Sequence, residues 1–265
     1  MAKIESEYTI NPYMRALTLV LRRILWDLRL QSWQSRRRLQ ACKNQYAGQT
    51  AVIACNGPSL LKVDFELLKG VYVFGLNKIN LLFDKSTFRP SSIVAINPYV
   101  VEQNADFYNS TTIPLFLDSC AVGTVRGGST TFLHGANIQK FAKDCSMSVF
   151  HGSTVTYVAM QLAFHMGFSR VALVGCDHNF ASKGPANAAV TSGESDPNHF
   201  DPKYFADGVK WQLPDLFHSE IAYMMARKAF EEDGRVLVNC TEGGLLEIFD
   251  RVSLQDFVEQ SRDSL

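Results

Sequence analysis

The sequence predicts an α/β protein: a Rossmann-like, doubly wound, mainly parallel sheet with a lid segment and an N-terminal helical arm. Three observations predict it. From Thr50 onward, short β-branched and apolar runs alternate with helical stretches. Those runs are apolar along their whole length, as strands covered on both faces are. Asn, Gly and Asp recur just after them, at the carboxyl ends where such sheets bind ligands.

In chain order, the strands are expected at residues 50–55 (TAVIAC), 71–76 (VYVFGL), 92–96 (SIVAI), 113–117 (IPLFL), 147–150, 170–174 (RVALV) and 235–238 (RVLV). The clearest helices between them are 154–166, 215–233 and 245–249. Right-handed crossovers would join the strands. Residues 178–214 break the alternation: they are rich in Gly, Pro, Asn, Ser and Asp and show no periodicity. A stretch of that length inside a compact domain is characteristically a functional lid or a disordered loop. Its aromatics Phe180, Phe200, Tyr204, Phe205 and Trp211 favour a lid that packs on the body.

The arm, residues 1–48, precedes a body of residues 49–265. A single helix is expected from Pro12 to Leu39, with Pro12 in its first turn. Leu17, Leu21, Ile24, Leu25, Leu28 and Leu39 recur at helical spacing, with Trp26 and Trp33 alongside. Up to residue 45 the arm carries nine cationic and three acidic side chains, a surplus that the rest of the chain balances. Such a helix packs on the body or on a second subunit, or it lies in a membrane interface with its arginines on anionic headgroups.

The 265 residues allow one large domain with an appendage. Lys and Arg total 26, as do Asp and Glu, and this neutrality argues against a nucleic-acid partner. No apolar run approaches the ~20 residues that cross a bilayer. The six cysteines form no C-x-x-C pair and no zinc-ligand spacing, which suits a reducing compartment. With polar first residues, the expectation is a cytoplasmic protein, if membrane-bound then at the inner face.

The strand ends carry the chemistry. After the first strand comes Asn56-Gly57-Pro58-Ser59. Gly57 allows close backbone approach, Pro58 stiffens the turn, and Ser59 is placed to cap a following helix whose amides favour an anion. Neither G-x-G-x-x-G nor a P-loop is present. Asn77 and Asn97 end the next two strands, so three carboxamides would share one rim and suit ribose hydroxyls and base edges. Ser153 and Thr154 open an apolar helix, and Asp177-His178 ends a later strand. Asp177 is open to three uses: binding ribose hydroxyls, coordinating a metal, or capping a turn. In the lid, His199 lies between Asp-Pro turns and is the residue best placed to act as a base near neutral pH. His151 also abuts the rim, whereas His165 lies within an apolar helix and is expected to be structural.

In this order, VIACNGPSL, VFGLN, AINP, the Ser/Thr-led helix, LVGCDH, the histidine-bearing lid and NCTEGGLLEIF resemble the bacterial sialyltransferases of glycosyltransferase family 42. The likeness runs from about Thr50 to Phe249. It implies a CMP-linked sialic or related acid as donor, held by Asn56, Gly57, Ser59, Asn77, Asn97, Thr154 and Asp177. It also implies His199 as catalytic base and an inverting reaction that needs no metal or other cofactor. Three positions depart from the family: Asn179 and Phe180 stand where it has tyrosines, and His151 stands where it has an arginine. Lys183, Lys203 and Tyr204 are the candidates to steady the leaving phosphate. The same motifs resemble a second family, the 6-hydroxymethylpterin pyrophosphokinase-like proteins, which include motility-associated factors linked to flagellin glycosylation.

The leading expectation is therefore a nucleotide-sugar transferase in surface-glycan (lipopolysaccharide) biosynthesis, with a nucleotide sugar and a glycan acceptor as partners. Alternatives are an ATP- and Mg²⁺-dependent diphosphotransferase with Asp177 on the metal, and a non-catalytic nucleotide-binding scaffold. A homo-oligomer is open to all three.

Overall fold

A computed structural model describes residues 11–182 and 184–262. Seven parallel strands form one sheet: β1 (Thr50–Ala54), β2 (Tyr72–Leu76), β3 (Ser92–Ala95), β4 (Leu115–Asp118), β5 (Thr130–Leu133), β8 (Arg170–Val174) and β11 (Val236–Asn239). Their order is β11-β8-β1-β2-β3-β4-β5. The chain builds outward from β1 to β5, crosses back to the other side of β1 as β8, and ends at β11. The switch point therefore lies between β1 and β8, which run in register from Thr50–Arg170 to Ala54–Val174.

Both faces of the sheet are covered. Ala51 and Ile53 of β1 join one buried cluster, with the helix α5 (Val155–His165) and Phe230 of α6 (Leu216–Glu232). Val52 and Ala54 join the other, with Val100 and Val101 of α3 (Pro98–Gln103) and Phe257 and Val258 of α7 (Leu254–Arg262). This two-sided burial is why the strands lack polar alternation. The short α4 (Ala105–Ser110) completes the connection to β4.

Several expectations need correcting. The arm is two helices, α1 (Pro12–Asp27) and α2 (Leu30–Cys42), because Arg29 is extended at their junction. The bend lets α2 lie along β5, the sheet's edge strand: Ser35 Oγ accepts from the Phe132 amide at 2.9 Å, and the Arg38 guanidinium donates to the Thr130 carbonyl. A buried edge needs such partners. The strand expected at 147–150 is only β7 (Val149–Phe150), paired with β6 (Gly135–Ala136) outside the main sheet. Residues 245–249 are not helical. Asn239 Nδ2 and Arg251 Nη2 both donate to the Leu246 carbonyl and hold this segment irregular, with Leu246 and Phe249 buried. β5 and α7 are additions to the expected elements.

The excursion at 178–214 folds over the carboxyl edge of the sheet. Among its described residues the only regular structure is the antiparallel pair β9 (Ala189–Thr191) and β10 (Lys210–Gln212). Phe200, Tyr204, Phe205 and Trp211 are buried beneath it. No helix among the described residues is long and apolar enough to cross a membrane.

Candidate functional site

At the switch point a cleft of about 350 Å³ opens between the carboxyl edge and the lid, within the range of small-ligand sites. Asn56, Gly57, Asn77, Asn97, Ser153, Thr154, Asp177, His178 and His199 all line it. Pro58, Ser59, Lys203 and Tyr204 do not, and Lys183 lies outside the described residues.

The first turn differs from expectation in one respect. Residues 58–62 form a single 3₁₀ turn capped by Gly57, and Ser59 caps nothing. Instead, Ser59 donates from its amide (3.1 Å) and its hydroxyl (2.9 Å) to Oδ2 of Asp177. The Gly57 amide donates to the Gly175 carbonyl and the Leu60 amide to that of Gly57, while Pro58 has none. These donors are already engaged, so this turn is not an anion cradle. It is a lock between the ends of β1 and β8. Glycine is required at 57 because a Cβ there would stand 1.9 Å from Asp177 Oδ2.

Two carboxamides behave differently. Asn56 Nδ2 donates to the Leu76 carbonyl at 3.0 Å, which fixes its orientation, yet its Oδ1 is buried without a partner. Asn77 sits in the left-handed region (φ 48°), and its Oδ1 is likewise buried and unpartnered. Orphaned buried acceptors are uncommon and call for an explanation. Asn97, by contrast, caps α3 through Oδ1 and donates from Nδ2 to Gln212 of β10, tying the rim to the lid.

The N-terminus of α5 opens on the cleft. Gly152 and Ser153 take left-handed φ values (57° and 58°) to turn the chain, and Thr154 is the N-cap, accepting from Thr156. Every residue of the helix from Thr156 on is buried, and Ser153, Thr154 and Val155 at its positive end line the cleft. His151 and His178 flank it on the cleft wall. His178 Nε2 lies 3.0 Å from Glu220, and His151 Nε2 lies 3.0 Å from Asp118 but out of line for a hydrogen bond. Although burial acts to raise it, the His151 ring and the Cys120 amide hold the Asp118 carboxyl below its usual value. No Lys or Arg side chain lines the cleft among the described residues. In its floor, Cys176 and burial together push the Cys55 thiol well up. His165 is buried, its Nε2 against the Leu39 carbonyl, as a structural residue would be.

His199 hangs over this cleft because the Phe200 amide donates to the Asn56 carbonyl at 2.9 Å. Its Nδ1 meets Oδ2 of the buried Asp196 at 2.7 Å. Its ring stacks on Tyr204, with centroids 3.9 Å apart and planes parallel. Nε2 has no partner among the described residues. Asp196 is itself fixed by the amides of Asn198 (2.8 Å) and Phe205 (3.2 Å). A histidine oriented through Nδ1 by a buried carboxylate has the tautomer and aim of a general base. By sequence Asp196 reads only as part of a turn; the i, i+3 spacing in D-P-N-H is the signal that pairs it with His199.

Two of the leaving-group candidates are accounted for otherwise. Tyr204 is fully buried beneath His199, and burial pushes its phenol well up. Lys203 is exposed and away from the cleft. A cation that no sequence motif marks, Lys78, is buried under the lid. Its ammonium donates to the Tyr204 carbonyl (2.7 Å) and to Gln103 (2.8 Å), and burial lowers its pKa to about 8.

Comparison with solved structures finds a MAf glycosyltransferase from Magnetospirillum magneticum AMB-1, with a TM-score of 0.51 and 16% identity. The alignment covers 89% of this chain and 42% of that one, so the protein spans less than half of its length. At this identity the likeness is one of fold. No curated protein matches the chain. Residues 29–183, more than half of the sequence, match the model of the family described as 6-hydroxymethylpterin diphosphokinase MptE-like. Of the two families that its motifs resemble, it is to this second one, the MptE-like family, that the chain belongs.

Proposed function

We propose that the protein is a glycosyltransferase that uses a nucleotide-activated sugar, with a CMP-linked sialic or related acid as donor. The observation that carries this reading is the Asp196–His199 pair, whose free Nε2 belongs to a ring lining the cleft. His199 Nε2 takes the proton of the acceptor hydroxyl, and the hydroxyl oxygen attacks the anomeric carbon. The bond from that carbon to the phosphate oxygen breaks, and its electron pair leaves with CMP. The orphaned oxygens of Asn56 and Asn77 suit the hydroxyl or amino donors of a nucleoside. The departing phosphate belongs at the N-terminus of α5, between His151 and His178, where the helix dipole and hydrogen-bond donors offset its charge. The fold shared with a MAf glycosyltransferase and the motif resemblance to family 42 support the same assignment.

The family description favours a second reading, diphosphate transfer from ATP with Mg²⁺. The donor set fits it less well. Asp177 is the one carboxylate among the described lining residues, and its Oδ2 already accepts twice from Ser59. No three His, Cys, Asp or Glu side chains gather among the described residues to hold a metal ion. Calorimetric titration with CMP, CDP and ATP, each with and without Mg²⁺, separates the two. Metal-independent CMP binding is expected; binding of ATP alone, and only with Mg²⁺, would overturn the transferase reading.

A further inference from the structure

The N-terminal helix α1 is amphipathic the wrong way round for a globular protein. Trp26, its one buried residue, stacks on His134 just beyond β5, with centroids 5.7 Å apart and planes 7° from parallel. Arg23 anchors the same side by donating to the Met147 carbonyl at 2.7 Å. At about 100° per residue, Leu17, Val20, Leu21, Ile24, Leu25 and Leu28 fall on an arc of about 140° facing away from that anchor. All six are exposed, Leu28 to 79%. Arg15, Arg22 and Arg29 recur every seven residues, about 40–80° beyond one edge of the arc and between it and the Trp26 side, with no ion-pair partner among the described residues. Soluble proteins rarely expose a contiguous apolar strip of this kind without a binding role.

We infer that this face of α1 lies in the interface of an anionic lipid bilayer. Charge decides between a membrane and a second copy of the chain. Residues 12–43 hold eight cationic side chains and one acidic one, Asp27, which already pairs with Arg23 and Arg36. A two-fold dimer through this face would bring two copies of this positively charged arm together, since a two-fold interface uses the same patch of both partners. An anionic surface meets the same arginines favourably, and their long stems let the charge reach the headgroups while the leucines are immersed. α1 meets the body beside the carboxyl end of β5, on the same edge of the sheet as the cleft. Docking therefore holds that edge, and not the opposite one, beside the lipid.

The test is vesicle flotation of the full chain with phosphatidylcholine–phosphatidylglycerol and with phosphatidylcholine alone. Flotation with the anionic vesicles only, weakened by salt, is expected. The variant Leu17→Glu/Leu21→Glu/Ile24→Glu should lose it while melting at the parent's temperature, since all three positions are exposed. At ~1 kcal/mol per basic residue near such a surface, Arg15→Gln/Arg22→Gln/Arg29→Gln should weaken partitioning by about a hundredfold. Absence of flotation, equal flotation of the triple-Glu variant, or a dimer in sedimentation equilibrium that this variant converts to monomer would each overturn the inference.

Discussion

Oδ2 of Asp196 stands 2.7 Å from Nδ1 of His199 and also accepts the Phe205 amide, so a single buried oxygen fixes both the imidazole and the turn that carries it. The pair depends on the lid's own fold and on the strand end beneath it, where Phe200 is bonded to Asn56.

Removing the base should act on turnover and not on nucleotide binding. General-base catalysis is typically worth ~10²–10⁴-fold, so His199→Ala should lower kcat by about that factor while the CMP titration is unchanged. Asp196→Asn keeps the shape but reverses the hydrogen bond to Nδ1 in the productive tautomer. It should lower kcat in the same direction and leave CMP affinity intact. Full activity in His199→Ala would remove the assignment.

The orphaned oxygen of Asn77 predicts a trade between stability and binding. A buried unsatisfied acceptor costs about 1–3 kcal/mol. Asn77→Gly keeps the left-handed backbone at no steric cost and deletes that acceptor. Its melting temperature should equal or exceed the parent's, while CMP affinity falls by up to about tenfold. A variant that binds CMP as the parent does would mean that Oδ1 is not a ligand contact.

Gly57 answers to Asp177. In Gly57→Ala the new methyl would overlap the carboxylate, and the lock between β1 and β8 must open or the strands must shift. Overpacking of this kind costs ~1–3 kcal/mol, to be read from urea denaturation. Ser59→Ala, which removes one of the two donors to Asp177 without a clash, should cost less.

Lys78 makes stability depend on pH in a defined direction. Burial lowers its pKa from 10.5 to about 8 in the folded protein. Between those values the unfolded chain binds a proton that the folded one does not, so this group's contribution to stability rises as pH climbs from about 8 to about 10.5. Below about 8 the ammonium is buried charged, and its desolvation weighs against folding. The stability of the parent relative to Lys78→Met should therefore increase by about 3 kcal/mol across that window. A difference that is flat with pH would show that Lys78 titrates normally.

The sequence by itself determined the sheet and the edge at which the cleft opens. Unbroken apolar runs such as RVALV have one stable home, a strand covered on both faces, and their polar successors are carried to a common edge. That is why Asn56, Asn77 and Asp177, up to 121 residues apart in the chain, line one cleft. Only the tertiary structure decided what each of them does. Ser59 looked like a helix cap and instead holds Asp177, because a hydroxyl's partner is set by the strand beside it and not by the residues that follow it. Tyr204 reads as a phosphate ligand and instead lies beneath the His199 ring, and Lys78 owes its burial to the lid residues packed over it. The arm's periodicity showed an apolar stripe but not its outward aim, which follows from Trp26 and Arg23 anchoring the opposite side of the helix. Periodicity records which side chains avoid water together; only the contacts record which side turns to the body.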